Sequence, residues 1–72
     1  MKVIAQRGGG VFLVAFDEPS TNMTAQGFII DLEAGVRYPT MNIHSLLARG
    51  YWSKFDGDEA ALLDAIPSLE MK

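Results

Sequence analysis

The hydrophobic and polar positions follow a strand-like pattern in the first half of the chain and a helical pattern after residue 40. Two early segments, residues 3–6 and 11–16, are rich in apolar, β-branched and aromatic residues, which predicts strands. Arg7 and three glycines at positions 8–10 separate them, and glycine readily adopts the positive φ of a tight hairpin turn. The chain therefore begins with a predicted β-hairpin.

A second hairpin is predicted after a polar loop. Residues 17–24, DEPSTNMT, collect turn and loop formers, and we regard this loop as a candidate functional surface. Residues 27–32 and 36–38 resume the strand pattern on either side of a turn at residues 33–35. Pro39 is expected to end the pairing, because proline cannot donate a ladder hydrogen bond.

Two short amphipathic helices are predicted in the second half. Ile43, Leu46 and Leu47 recur at helical spacing, with Thr40 or Asn42 as the N-cap and Gly50 as the end. The second helix has an apolar stripe of Leu62, Leu63 and Ile66, and Pro67 lies at or just past its end. Asp56 and Glu59 have the spacing of a capping box, in which each side chain binds the backbone amide of the other.

The element order ββββαα defines the expected fold class, α+β, in a single domain of residues 1–72. Two hairpins form one small antiparallel sheet, and both helices pack on one face of it. With a two-residue turn in the first hairpin, Val3 and Ala5 share a face with Phe12 and Val14, whereas Ile4 lies on the other face. A three-residue turn would change these partners.

The second strand is apolar on both faces, so it must be covered on both. If the helices cover one face, the other leaves an apolar patch of the kind that marks an interaction surface. We expect a second copy of the chain to cover it, because twofold homodimers are the commonest oligomers and small domains without disulfides or metals often associate. The alternative is that residues 51–55 and the chain ends fold over this face. The predicted interface residues are Val11, Phe12, Leu13, Val14 and Phe16.

Composition limits the class of protein. The 72 residues contain no cysteine, which removes disulfides, thiol nucleophiles and thiolate zinc sites and favours a reducing compartment. The longest apolar run is far shorter than the ~20 residues of a membrane span, so we expect a soluble cytoplasmic protein with no membrane partner. The formal net charge of −3 argues against a protein that binds duplex nucleic acid.

Candidate chemistry is sparse. His44 is the single histidine, and an imidazole with carboxylates alone makes a poor zinc site. The triple glycine lacks the following helix and GK[ST] signature of a phosphate loop, and the acidic run from Asp56 lacks the glycine of a calcium loop at its sixth position. We therefore expect no enzyme activity, no metal and no cofactor.

The segment 37–54 combines fixed positive charges with aromatic rings and contains no acidic residue. Bases can stack on such rings while arginine and lysine contact phosphates, although these rings also suit the core of a small domain. The candidate partner or ligand surface comprises Arg37, Tyr38, His44, Arg49, Tyr51, Trp52 and Lys54.

These observations favour a non-enzymatic protein–protein interaction module that self-associates and docks a partner protein. One alternative is a regulatory domain that binds a small apolar ligand between sheet and helices or in a dimer interface. The other is a nucleic-acid accessory protein that uses the basic and aromatic segment 37–54.

Overall fold

The computed structural model describes residues 1–16 and 26–72, in which six β-strands form one mixed sheet with two short α-helices against it. The predicted loop 17–24 lies outside the described residues. The strands are β1 (Lys2–Arg7), β2 (Val11–Ala15), β3 (Gly27–Asp31), β4 (Val36–Thr40), β5 (Ser53–Lys54) and β6 (Glu70–Met71). The helices are α1 (Ile43–Ala48) and α2 (Glu59–Ala65), and a single 3-10 turn (Ile66–Ser68) follows α2.

The sheet contains both predicted hairpins and two additional strands. The order across the sheet is β5-β1-β2-β3-β4-β6, so β5 and β6 flank the four predicted strands. Neighbouring strands are antiparallel except for β4 and β6, which run parallel. The α+β class and the order of the main elements are confirmed, whereas the purely antiparallel four-stranded sheet is corrected to a mixed six-stranded one. Two-residue strands such as β5 and β6 have no hydrophobic period that a sequence pattern could reveal.

The first hairpin has a three-residue turn and a compensating bulge. Arg7 pairs with Val11, and Gly9 and Gly10 in the turn have φ of 84° and 75°. A register shift between Val3 and Ala5 makes Ile4 an extra residue, so that Val3 pairs with Val14 and Ala5 with Leu13. Because Leu13 and Val14 are adjacent in β2, Val3 and Ala5 point to opposite faces. The expected face is correct for Val3 and wrong for Ala5.

One face of the sheet, here called the α2 face, is covered by α2 and the turn after it. Val3 and Val14 from the first hairpin and Phe28 and Ile30 from β3 form a buried cluster with Leu62 and Ile66. Phe12, Phe55, Leu63 and Leu69 are partly buried against this cluster. Full burial of a large aliphatic or aromatic side chain contributes roughly 1.5–3 kcal/mol, so this cluster of large side chains is the main core.

The opposite face, here called the α1 face, is covered by α1 and Trp52. Ile43 of α1 is buried with Ala5, Leu13 and Ala15. Partly buried residues surround this smaller cluster: Ile4, Ile29, Leu46, Leu47 and Trp52. The prediction of both helices on one face is therefore wrong. Residues 49–52 lead from α1 to β5 at the sheet edge, so the chain crosses from one face to the other between the two helices.

Pro39 lies within β4, where it pairs with Phe28, rather than ending the strand. On the outer side of β4, β6 pairs only with Val36 and Arg37. The outer edge beyond Arg37 is thus open in the described part of the chain, and proline there costs no ladder hydrogen bond.

The first turn of α2 differs from the predicted capping box. Asp58, not Asp56, is the N-cap, and its Oδ1 accepts a hydrogen bond from the Ala61 amide at 3.2 Å. Glu59 does not close the box but accepts a hydrogen bond from the Val3 amide at 3.2 Å. The start of α2 is therefore tied to β1 near the bulge, a long-range contact that local spacing does not reveal.

We expect Gly27→Ala to destabilise the fold by about 3 kcal/mol, because the added methyl overpacks a closed site. A Cβ here would lie against the Val14 carbonyl oxygen and 2.8 Å from both Ala15 Cα and Ile43 Cδ1. Gly8→Ala is the matched control, since a Cβ at Gly8 meets no atom within 4 Å. Urea unfolding of both variants measures the difference, and equal stability would contradict the close packing of β2 and α1 against Gly27.

We expect Asp58→Ala to lower the free energy of unfolding by about 1 kcal/mol, the usual effect of losing an N-cap. Asp56→Ala is the control, because the one hydrogen bond of the Asp56 carboxylate among the described residues is an exposed one, from the Gln6 amide at 3.5 Å. Urea unfolding distinguishes the two positions. A larger loss at Asp56 than at Asp58 would restore the predicted capping box.

Candidate functional site

One concavity in the described part of the chain is an apolar pocket on the α2 face, here called the α2 pocket. Its volume is about 340 Å³, at the lower end of the roughly 300–1,000 Å³ of small-molecule sites. It lies between the first turns of α2 and the ends of the two hairpins. The apolar walls are Phe12, Leu32, Phe55, Ala61, Leu62 and Ala65, and the remaining lining residues are Gln6, Gly57 and Asp58.

Small residues on α2 create this space. Leu62 and Ile66 seat the helix on the sheet, whereas Ala61 and Ala65 fill little of the gap beside them. Phe12 and Phe55 form one wall and meet edge to face, with ring centroids 5.8 Å apart. This edge-to-face arrangement contributes beyond its buried area and so stabilises the wall.

The mouth of the α2 pocket is acidic. Asp58 lies in the lining, and Asp56 accepts a hydrogen bond from the Gln6 side chain at 3.5 Å. Glu33 follows the lining residue Leu32, and its side chain approaches Gly10 in the first hairpin turn. The pocket therefore combines apolar walls with carboxylates at the opening, which favours an apolar group next to positive charge.

The predicted basic and aromatic surface is divided between two edges of the sheet. Arg37 and Tyr38 belong to β4, while Tyr51 and Trp52 precede β5, which contains Lys54. Four interstrand steps separate β4 from β5, which is roughly 19 Å at about 4.8 Å each. His44 and Arg49 are exposed on and just after α1. The seven residues therefore do not form one continuous site.

Trp52 has a structural role in the described chain. Its ring packs against the α1 face, and the Arg7 guanidinium lies over it at 4.8 Å from the ring centroid. This cation–π contact covers the ring that a stacked base would need. Tyr51 next to it is 71% exposed.

Arg37 and Tyr38, although adjacent in β4, differ in how far their side chains are buried. Arg37 stacks over the Phe28 ring at 5.3 Å, and its Nε is buried with no hydrogen-bond partner among the described residues. Tyr38 is 45% exposed. Arg37 therefore extends the α2 face, whereas Tyr38 lies at the surface of β4.

Burial removes two of the five predicted interface residues on β2 from the surface. Leu13 and Val14 are both 0% exposed, one enclosed beneath each helix, so neither offers surface to a partner. Val11 and Phe12 are partly exposed, and Phe16 is exposed and packs edge to face with Phe28. The chain itself covers β2 on both faces, with α2 and Phe55 on one and α1 and Trp52 on the other.

Sequence reasoning missed the α2 pocket. The sequence pattern predicts Phe12 at an interface, and nothing in it places Phe55 beside Phe12. The signal that was available is the run of small residues at Gly57, Ala61 and Ala65, which leaves one side of α2 without bulk.

No helix in residues 1–16 and 26–72 is long and apolar enough to cross a bilayer. Over the same residues, no group of three or more histidine, aspartate or glutamate side chains could hold a metal ion. A scan of the chain against models of protein families, and searches with it among curated proteins and solved structures, find no match.

We expect Arg7→Ala to uncover the indole of Trp52, the one tryptophan of the sequence. Acrylamide should quench its fluorescence more strongly, and stability should fall by roughly 0.5–1 kcal/mol, the scale of an exposed cation–π contact. Arg49→Ala removes the same charge away from the ring and is the control. Unchanged quenching in Arg7→Ala would mean that the guanidinium does not cover the ring.

Proposed function

We propose that the protein is a non-enzymatic protein–protein interaction module that self-associates through the α2 pocket. The observation that carries this proposal is an apolar pocket with an acidic mouth on a sheet whose two main faces are already covered. A side chain of the partner that fills such a pocket is shielded from water. A few anchors of this kind supply most of the binding free energy at protein–protein interfaces.

The distribution of polar groups in the α2 pocket supports binding over catalysis. Its carboxylate, Asp58, accepts the Ala61 amide and acts as the N-cap of α2. Its amide, Gln6, contacts Asp56. His44 lies on α1, which covers the other face of the sheet. Among residues 1–16 and 26–72, the pocket thus holds no arrangement of nucleophile and base of the kind that catalysis by side chains requires.

A small apolar ligand is the second candidate, because the same walls and volume suit one. Nucleic acid is less well supported, because Arg7 covers the Trp52 ring and the basic residues are split between two sheet edges. Self-association and the binding of a small ligand would use the same pocket. Only self-association raises the mass of the particle in solution by a whole chain.

We expect Ala61→Lys to weaken self-association at least about tenfold, because the longer side chain enters the pocket and its charge opposes a basic partner. Ala60→Lys is the matched control: it lies next to Ala61 on α2, is exposed and does not line the pocket. Sedimentation equilibrium over a concentration series measures the dissociation constant, and circular dichroism confirms that each variant folds.

The wild-type result decides between the candidates. A mass that rises above one chain and falls in Ala61→Lys alone supports the interaction module. A single-chain mass at every concentration up to millimolar would contradict self-association, and a small molecule released on denaturation would then favour the ligand-binding alternative.

A further inference from the structure

Tyr51 is the most exposed large apolar side chain among the described residues, at 71%. It lies between α1 and β5 and makes no aromatic contact within the described chain, unlike its neighbour Trp52 beneath Arg7. An aromatic ring left in water forgoes the stabilisation that its burial would give. The Tyr51 ring is therefore available to be buried in a contact with another chain.

The charges around Tyr51 are complementary to those of the α2 pocket. Arg49 precedes it, Lys54 follows it, and both are exposed. At the mouth of the pocket stand the carboxylates of Asp56 and Asp58, with Glu33 close to the same end. One region of the chain thus presents an aromatic ring flanked by positive charge, and another presents an apolar pocket flanked by negative charge.

We propose that Tyr51 of one copy of the chain inserts into the α2 pocket of a second copy. This inference rests on the proposed self-association and specifies its contact. The ring would pack against the wall formed by Phe12 and Phe55. Its hydroxyl would reach the polar lining at Gln6 and Asp58, which explains a tyrosine here rather than a purely apolar residue.

Both halves of the contact lie at the same edge of the sheet. Gln6 lines the α2 pocket and also pairs with Ser53, two residues after Tyr51. When ring and pocket are neighbours in one surface, two copies can exchange them reciprocally about a twofold axis. Such an exchange closes the assembly as a dimer and doubles the number of contacts without a second type of surface.

Two variants and their mixture test the contact. Tyr51→Ser removes the ring and leaves the pocket, whereas Ala61→Lys blocks the pocket and leaves the ring. We expect each alone to weaken dimerisation at least about tenfold, because truncation of an aromatic anchor at an interface has this scale of effect. Mixed in equal amounts, the two variants should form a one-to-one complex that neither forms alone, because the mixture restores one ring and one open pocket.

Matched controls separate this contact from general loss of surface apolarity. Tyr38→Ser removes another exposed tyrosine on β4, at the far side of the sheet, and should leave the dissociation constant unchanged. Tyr51→Phe keeps the ring and should weaken the dimer less than Tyr51→Ser. Raising the salt concentration should weaken the wild-type dimer and have less effect once Arg49 and Lys54 are neutralised.

The possible results are distinct. A wild-type dimer that survives Tyr51→Ser would overturn this contact and leave the proposed self-association standing. A wild-type monomer at all concentrations would overturn both. Failure of the mixture to form a complex, while the wild type dimerises and both single variants stay folded and monomeric, would show that ring and pocket do not meet.

Discussion

The strand β2 is apolar on both of its faces, and the placement of every other element depends on covering both. Leu13 and Val14 are adjacent, point in opposite directions and are fully enclosed. β2 is an interior strand of the sheet, so its backbone is paired on both sides and only its faces require cover. The chain supplies one short helix for each face.

This division explains the irregular features of the fold. A regular β1 would place Val3 and Ala5 on the same face, whereas the bulge at Ile4 gives one of them to each cluster. Helices of six and seven residues are well below the ~12–15 residues at which an isolated helix is even marginal. Each helix therefore exists because of the sheet beneath it, and Gly27 and Glu59 are the points where that dependence is most direct.

The candidate site is a consequence of the same division. One helix of seven residues cannot fill the whole α2 face, and its small residues Ala61 and Ala65 leave the α2 pocket at the margin. The segment that crosses to the other face carries Tyr51 around the sheet edge, where it remains exposed. The pocket and the Tyr51 ring both lie where the two buried clusters end, beside β5. The surface open to a partner is therefore at this edge of the sheet.

The sequence by itself determined the local elements of this protein. Hydrophobic period 2, glycine turns, helical spacing and a proline just past the second helix were enough to define four strands and two helices in the correct order, since each depends on residues close together in the chain. Only the tertiary structure decided which face each helix covers, where Glu59 binds and that Phe12, Phe55 and Ala61 enclose a pocket. One reason is that a bulge of a single residue reverses the side-chain direction of every residue before it in the strand. The other is that contacts between distant positions leave no periodic signal in the sequence; Val3 and Glu59, for example, are 56 positions apart.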